Sequence, residues 1–291
     1  MTLRLLAVHA HPDDESSKGA ATYAYYRSLG ADVMVVSCTG GERGDIQNPT
    51  LVASAMADRD MAGLRRIEMA RAREIMGIEH RWLGSLDSGL PEGDETVHPH
   101  SFAMTPLEVS GVPLVKVIRE FRPHVVVTYD ENGGYPHPDH IRTHEVTMWA
   151  LDAAADPDRL PEWGAAWRVR KLYYDRMMSR QRFTAVYKAL RVAQPDNPLL
   201  ESLTEMTSWM SERPEARVTT RVPAGDFFEV RDAALRAHSS QVPPDSPFFF
   251  WPNDVQRSAW PSEDFELVES KVETSIPETD LFAGLTERHD E

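Results

Sequence analysis

Short apolar runs alternate with longer segments of helical spacing in the first part of the chain. The apolar runs contain few polar residues, which is typical of strands buried on both faces of a parallel sheet. They predict strands at residues 3–10, 32–39, 80–83, 124–129 and 169–174. Apolar residues at helical spacing predict helices at residues 17–29, 56–76, 106–121 and 139–155. This alternation predicts an α/β fold with a Rossmann-like, mostly parallel sheet flanked by helices.

The regular alternation ends near residue 176. Beyond it, helical spacing extends over residues 179–211, an edge strand is predicted at 217–222, and a further helix at 225–239. We therefore predict an α/β domain at residues 1–176 that carries the functional site. A smaller mixed C-terminal region, residues 177–291, should pack on this domain and contribute to the mouth of its pocket.

Charge and cysteine content narrow the class of partner. The 291 residues include 31 Lys and Arg against 46 Asp and Glu, a net charge of −15. Nucleic acids and anionic membrane surfaces attract clustered positive charge, so the expected partner is a small molecule, with no nucleic acid and no membrane. No apolar run reaches the roughly 18 residues of a membrane span. The single cysteine, Cys38, can form no internal disulfide, which favours a cytoplasmic location.

A first polar motif, residues 11–15, directly follows the first predicted strand. Its sequence is His11-Pro12-Asp13-Asp14-Glu15. Two adjacent carboxylates beside an imidazole repel each other unless a cation or a proton shares the site. His11 and Asp14 are three residues apart and can face one metal ion, which leaves Asp13 free to act as a base. The alternative is that the carboxylates only stabilise the N-terminus of the next helix.

A second polar motif, residues 135–140, follows the strand predicted at 124–129. Its sequence is Tyr135-Pro136-His137-Pro138-Asp139-His140, and two glycines precede it. The prolines restrict the backbone around His137. His140, near the start of a helix, is well placed to complete a site with the first motif. His144, one turn later, is either a substitute ligand or a helix residue bonded into the core.

The two motifs together predict a metal centre. Two histidines, one carboxylate and an open position form a recurrent catalytic zinc site, which makes hydroxide available near neutral pH. The sequence therefore predicts a mononuclear metal hydrolase with one ion per chain, zinc first and ferrous iron as the alternative. Asp130 and Asp139 either orient the histidines or cap a turn and a helix. A metal-dependent phosphodiesterase is the rival class, although two-metal phosphoryl transfer usually needs more carboxylates.

The motif pair resembles that of a known family. His11-Pro12-Asp13-Asp14-Glu15 with Pro136-His137-Pro138-Asp139-His140 is similar to the zinc-dependent deacetylases and amidases that include the N-acetylglucosaminyl-phosphatidylinositol de-N-acetylases and the mycothiol enzymes. The resemblance extends to about residue 284. Four segments look most like the branch that cleaves mycothiol S-conjugates: residues 16–22, 40–44, 87–91 and 279–284.

This resemblance implies roles for individual residues. It implies zinc ligands at His11, Asp14 and His140, a general base at Asp13, and groups that assist at the carbonyl at Tyr135 and His137. An amide is a poor electrophile with a poor leaving group, so the departing amine must be protonated. Either His137 or the protonated Asp13 would supply that proton.

The resemblance also implies a substrate. The expected reaction is hydrolysis of the amide between glucosaminyl-inositol and the S-substituted N-acetylcysteine of mycothiol S-conjugates, in detoxification or in a dedicated natural-product pathway. A deacetylase of N-acetylglucosaminyl-inositol is the alternative within the same chemistry. The positions expected to contact such a substrate are Lys18, Glu42, Arg65 and Asp87. For the last three, a solvated turn or a helix-surface charge is the alternative explanation. His238 also matches a family motif, and a packed helix histidine is its simpler role.

Overall fold

A computed structural model describes residues 2–91, 96–211 and 214–285. Within these ranges, seven strands form one sheet: β1 (Arg4–His9), β2 (Asp32–Thr39), β3 (Glu79–Ser85), β4 (Val125–Thr128), β5 (Lys171–Asp175), β6 (Thr220–Val222) and β7 (Glu263–Ser270). The α-helices of the same ranges are α1 (Asp14–Lys18), α2 (Ala20–Ser28), α3 (Ser54–Met76), α4 (Leu107–Ser110), α5 (Val112–Phe121), α6 (Pro138–Ala155), α7 (Arg180–Ala193), α8 (Leu199–Ser211), α9 (Phe228–Ala237) and α10 (Asn253–Ala259).

The sheet has the strand order β3-β2-β1-β4-β5-β7-β6. The first five strands in this order are parallel to one another, whereas β7 pairs antiparallel with both β5 and β6. This confirms the predicted Rossmann-like, mostly parallel sheet. The chain runs outward from β1 to β3 and then returns to place β4 on the other side of β1. In such sheets the reversal of strand order opens a crevice beyond the carboxyl ends of the strands.

Apolar side chains cover both faces of the sheet. Successive residues of a strand alternate between the faces: Leu5 packs with residues of α2, α3 and α9, whereas Leu6 packs with residues of α5 and α6. All of β4 is buried. Burial on both faces explains why these strands are continuous apolar runs. Among the described residues, no helix is long and apolar enough to cross a membrane.

The helix predicted at residues 17–29 is wrong in detail, because the structure has two helices there. Gly19 separates α1 from α2 with an extended backbone, φ 173°. The ring of Tyr23 occupies the space that a Cβ at Gly19 would need, and its hydroxyl lies 3.0 Å from Nε2 of His9. The break therefore lets a core tyrosine pack against the backbone beside the first polar motif.

Two C-terminal elements, β7 and α10, have no counterpart among the sequence predictions. β7 begins with two buried carboxylates, Glu263 and Asp264. Glu263 accepts the backbone N–H of Thr22 (2.8 Å), and Asp264 accepts the hydroxyl of Ser179 (2.8 Å). A buried strand that starts with charges satisfied by distant residues has no local signature. β6 and β7 both lie after residue 176, and they extend the sheet of β1–β5. The domain boundary after residue 176 stays a prediction.

Candidate metal centre

The two polar motifs lie at the same edge of the sheet. β1 ends at His9 and β4 at Thr128, and each motif follows in the next loop. The reversal of strand order places these two loops side by side. The ring centroid of His11 is consequently 4.7 Å from that of His137 and 5.4 Å from that of His140.

The first motif folds into a tight turn that brings His11 and Asp14 to one point. Asp14 is the first residue of α1, and its Oδ2 accepts a hydrogen bond from the backbone N–H of His11 (2.9 Å). The same oxygen lies 3.5 Å from Nδ1 of His11 and 3.4 Å from Nε2 of His140. The spacing of three residues therefore brings an imidazole and a carboxylate together.

The loop before α6 orients His140. The Nδ1 atom of His140 lies 3.0 Å from the carbonyl oxygen of Gly133, and its ring stacks on Tyr129 with centroids 4.4 Å apart. Gly133 has φ 70°, and a Cβ there would lie 2.6 Å from the Cβ of His140. Only glycine permits this close approach. With the proton on Nδ1 donated to the carbonyl, the lone pair of Nε2 points into the site.

These three residues fit a divalent cation. His11, Asp14 and His140 are buried and present ligand atoms within 4.8 Å of one another. Nε2 of His140 is buried without a hydrogen-bond partner, which a metal ion with N and O ligands would satisfy. Burial lowers the pKa of His11, but hydrogen bonds with Asp139, Asp14 and Asp87 outweigh burial and raise that pKa well above its ordinary value. The surroundings thus favour positive charge at this point.

Asp139 contacts His11. Its Oδ2 lies 3.2 Å from Nε2 of His11, and its carboxylate accepts hydrogen bonds from the backbone N–H (2.9 Å) and the hydroxyl of Ser88. A proton on Nε2 leaves Nδ1 free, and Nδ1 is the atom near Asp14. His11, His137 and Asp139 form a second group of candidate ligands. The group with Asp14 and His140 fits a metal better, because only that group contains the buried Nε2 of His140 that has no hydrogen-bond partner.

Asp13 contacts Arg65 and belongs to neither group of candidate ligands. Its Oδ2 accepts a hydrogen bond from Nη2 of Arg65 (2.8 Å), and the guanidinium also donates to the carbonyl oxygens of Pro12 and Gly41. Burial raises the pKa of Asp13 above its ordinary value, and the charge of Arg65 offsets this only in part. A carboxylate with a raised pKa beside a metal site is suited to proton transfer.

His137 and Tyr135 flank the ligand atoms. His137 caps α6, because its Nδ1 accepts the backbone N–H of Asp139 (3.1 Å). In the neutral ring the proton is therefore on Nε2, which can donate a hydrogen bond. Burial and the charges of His11 and His140 lower the pKa of His137 to about 3, so the ring is neutral at pH 7. Tyr135 is 41% exposed, and its ring centroid is 4.5 Å from that of His140.

Lys18 points into the site. Its Nζ donates a hydrogen bond to Oδ1 of Asp14 and lies 5.6 Å from the ring centroid of Tyr129. Burial lowers the pKa of Lys18, but the charge of Asp14 outweighs burial and the pKa is raised. Lys18 therefore partly neutralises the carboxylate whose other oxygen faces the histidines. Its expected contact with a substrate stays a prediction.

Glu42 and Asp87 join two loops at the edge of the site. Oε1 of Glu42 accepts the backbone N–H of Asp87 (2.9 Å), and Asp87 accepts those of Arg43 (3.0 Å) and Gly89 (2.8 Å). Oδ1 of Asp87 also lies 3.7 Å from Nε2 of His11. Both carboxylates thus shape the loops around the ligand group, and their contact with a substrate also stays a prediction.

Asp130 acts on the second loop rather than on a histidine ring. Its carboxylate accepts the backbone N–H groups of Asn132 (3.0 Å) and Gly134 (2.9 Å) and forms an ion pair with Arg176. These contacts fix the turn that leads to Tyr135. The turn-capping alternative therefore describes the observed contacts of Asp130, whereas Asp139 makes the contact expected of a histidine-orienting residue.

The sequence predictions missed the partners of two site carboxylates. Ser88, which holds Asp139, stands next to Asp87 but was not singled out. Glu15 is fully buried, accepts the backbone N–H of Asp13 (2.9 Å) and lies 2.7 Å from Nε2 of His238. Glu15 lies within the first polar motif, but Ser88 and His238 lie far from both motifs, so no local pattern identifies these contacts.

Comparisons with known proteins find relatives that match nearly the whole chain. A family model described as GlcNAc-PI de-N-acetylase matches residues 6–151, which contain both polar motifs. The chain is 50% identical over 287 residues to the mycothiol S-conjugate amidase of Streptomyces coelicolor, an alignment that covers 97% of each chain. It is 39% identical over 289 residues to the 1D-myo-inositol 2-acetamido-2-deoxy-alpha-D-glucopyranoside deacetylase of Streptomyces avermitilis, again over 97% of each chain.

A solved structure shares the fold. The N,N'-diacetylchitobiose deacetylase from Pyrococcus horikoshii superposes with a TM-score of 0.60 at 19% identity, over 91% of this chain and 83% of that chain. At this identity the similarity concerns the fold alone. The match of the family model to half of the chain, and the 50% identity along nearly all of it, show that the protein belongs to the GlcNAc-PI de-N-acetylase family.

Proposed function

We propose that this protein is a zinc-dependent amidase. It hydrolyses the amide between glucosaminyl-inositol and the S-substituted N-acetylcysteine of mycothiol S-conjugates, in detoxification or in a dedicated natural-product pathway. The observation that carries the proposal is the buried group of three candidate ligands, His11, Asp14 and His140. The carboxylate of Asp13 belongs to neither group of candidate ligands and contacts Arg65 instead. The 50% identity to the Streptomyces coelicolor amidase supports this substrate over that of the deacetylases, at 39%.

The ion would be held by His11, Asp14 and His140, with zinc expected and ferrous iron as the alternative. When bound, such an ion acts as a Lewis acid toward water and the amide carbonyl. The two candidate ligand groups of the described residues share His11, which supports one ion per chain. A site for one ion also favours amide hydrolysis over two-metal phosphodiester cleavage.

Asp13 is the proposed general base and then the general acid. Its side chain is 24% exposed to solvent, and the charges of Asp14 and His11 in the ligand group influence its pKa. Ionised Asp13 accepts a proton from the attacking water, and its raised pKa favours keeping that proton until the amine departs. The same proton then goes to the leaving nitrogen, which cannot depart from an amide as an anion.

His137 and Tyr135 are proposed to stabilise the carbonyl oxygen. His137 is neutral, with its proton on Nε2, and is therefore a hydrogen-bond donor rather than an acid. The hydroxyl of Tyr135 is a second donor at the rim of the site. Donors that are fixed before the reaction stabilise the negative charge that develops on the oxygen.

The substrate is proposed to bind against Lys18, Glu42, Arg65 and Asp87. Arg65 contacts Asp13, Asp87 approaches His11, and Lys18 contacts Asp14, so a substrate at the ligand group would lie beside all three. These charged groups suit a polar pseudodisaccharide with many hydroxyls. The single, buried Cys38 supports a cytoplasmic location, where such thiol conjugates arise.

A comparison of two substrates tests the proposal. Zinc-loaded protein is incubated with a fluorophore adduct of mycothiol and, separately, with N-acetylglucosaminyl-inositol, and both products are quantified by mass spectrometry. We expect a higher kcat/KM for the adduct, and loss of both reactions after chelation. Preferred turnover of the acetylated sugar would establish the deacetylase instead, and hydrolysis of neither amide would refute the amidohydrolase assignment.

A further inference from the structure

Asp13 has an unfavourable backbone conformation. Its φ is 115° and its ψ is −28°. Among the described residues, two other non-glycine residues have positive φ, Arg122 at 55° and Leu160 at 51°. Those two values lie in the left-handed helical region that L-residues tolerate, whereas 115° lies well outside it. Such a conformation persists only when surrounding contacts hold it.

One of these contacts is a buried ion pair below Asp13. The backbone N–H of Asp13 donates to Oε2 of Glu15 (2.9 Å), and the other oxygen of Glu15 lies 2.7 Å from Nε2 of His238. Glu15 and His238 are both fully buried.

The second contact to Asp13 is its ion pair with Arg65. The residues after His238 support the helix turn that carries Arg65. The hydroxyl of Ser239 (2.9 Å) and the backbone N–H and hydroxyl of Ser240 (2.7 Å each) donate to the carboxylate of Glu68. Glu68 is fully buried and lies one turn after Arg65 on α3. Arg65 is the residue that donates to the Asp13 carboxylate. The segment of residues 238–240 therefore supports both the backbone and the side chain of Asp13.

We propose that residues 238–240 are a positioning segment for the general base. His238 fixes the carboxylate of Glu15, which holds the backbone of Asp13, while Ser239 and Ser240 fix the turn of α3 that carries Arg65. The proposal rests on the proposed function, because that function makes Asp13 the base. None of the three residues touches the reacting atoms. They act through Glu15 and Arg65, from a part of the chain more than 220 residues after the first polar motif.

An ion pair suits this role because its hydrogen bonds are directional. A buried ion pair often adds little to stability, since the cost of removing both charges from water offsets their attraction. Together with the hydroxyl of Ser16, which also donates to Oε1 of Glu15 (2.5 Å), it nevertheless fixes the carboxylate oxygens of Glu15 in one orientation. An apolar contact of the same volume would fill the space without orienting the acceptor for the N–H of Asp13.

A matched pair of substitutions separates orientation from packing. His238→Gln keeps a hydrogen-bond donor within reach of Glu15, whereas His238→Met fills the space without a donor. Each variant is assayed for zinc content, kcat and KM with the mycothiol adduct. We expect His238→Met to lower kcat about 10- to 100-fold with a nearly unchanged KM and full zinc content, because small displacements of a catalytic group have effects of this size. His238→Gln should stay within about threefold of the wild type.

Lys171→Met is the control for loss of a buried ion pair. Lys171 is buried and pairs with Glu278 (2.5 Å) at the start of β5, the edge of the sheet opposite the site. This variant should lower thermal stability without changing kcat. If His238→Met does not fold, the double variant Ser239→Ala/Ser240→Ala tests the same segment through Glu68, and we expect it to lower kcat about 3- to 10-fold.

Crystal structures of the zinc-loaded variants provide a readout that does not depend on turnover. In His238→Met we expect Asp13 to relax to an ordinary φ or its carboxylate to leave Arg65. An unchanged Asp13 together with a wild-type kcat would overturn the proposal, as would equal losses of kcat in the Gln and Met variants. If the wild type hydrolyses neither amide, the proposed function fails, and the conformation of Asp13 in these structures still decides whether the segment positions it.

Discussion

The contact between Asp139 and His11 predicts how strongly the protein binds zinc. Asp139 is fully buried and its carboxylate contacts Nε2 of His11 and both donors of Ser88. Asp139→Asn preserves the shape but removes the charge, and its amide offers one acceptor oxygen where the carboxylate offers two. Loss of such support weakens metal binding by about 10- to 100-fold. We therefore expect a loss of zinc affinity within this range, or about 1.4 to 2.8 kcal/mol.

A competition assay measures this loss. The apo-protein is titrated with zinc in the presence of a fluorescent chelator of known affinity, at fixed pH and ionic strength. Asp130→Asn is the matched control, because Asp130 lies in the same loop region but contacts Arg176 and backbone N–H groups. The control should bind zinc within about threefold of the wild type. Equal affinities for Asp139→Asn and the wild type would refute the role of Asp139 in orienting His11.

Three further predictions concern the base, a buried carboxyl and the loop before α6. Asp13→Asn should lower kcat by at least about 10²-fold with zinc content unchanged, and a smaller loss in metal-loaded protein would argue against a general base. Burial raises the pKa of Asp175 to about 7, and the charges of Lys18 and Arg176 offset this only in part. The folded state therefore keeps a proton on Asp175 that the unfolded state releases, so the free energy of unfolding falls as the pH rises toward 7. The free energy of unfolding of Asp175→Asn, relative to the wild type at equal zinc saturation, should therefore increase between pH 5 and pH 8, and a constant difference in urea denaturation would contradict the shift. Gly133→Ala should weaken zinc binding in the same competition assay, because its Cβ would lie 2.6 Å from that of His140. Wild-type affinity there would show that the loop yields without moving His140.

Local patterns were sufficient for the fold class and for the two polar motifs. Continuous apolar runs predict strands buried on both faces, and the helices between them predict the parallel pairing that joins strands β1–β5. Ligands collect beyond the carboxyl ends of such strands, so the sequence predicts that His11 and His140 meet. The helix predicted over Gly19 and the absent prediction of β7 show where local patterns fail. At Gly19 the ring of Tyr23 fills the space beside the backbone while its hydroxyl reaches His9 of β1. At the start of β7 the donors come from the distant residues Thr22 and Ser179.

The sequence by itself determined which residue types could perform the chemistry, and the tertiary structure decided what each of them contacts. Neighbours within a motif, such as His11 and Asp14, are separated by a few bonds, so their spacing limits the geometry they can adopt. The partners of Asp13, Asp14 and Asp139 depend on which loops meet at the edge of the sheet. Arg65 was expected at a substrate and contacts Asp13, and Lys18 contacts Asp14. His238 lies far along the chain and pairs with Glu15. Buried charges must find partners wherever the fold supplies them, and a pattern within one segment carries no information about partners that come from another.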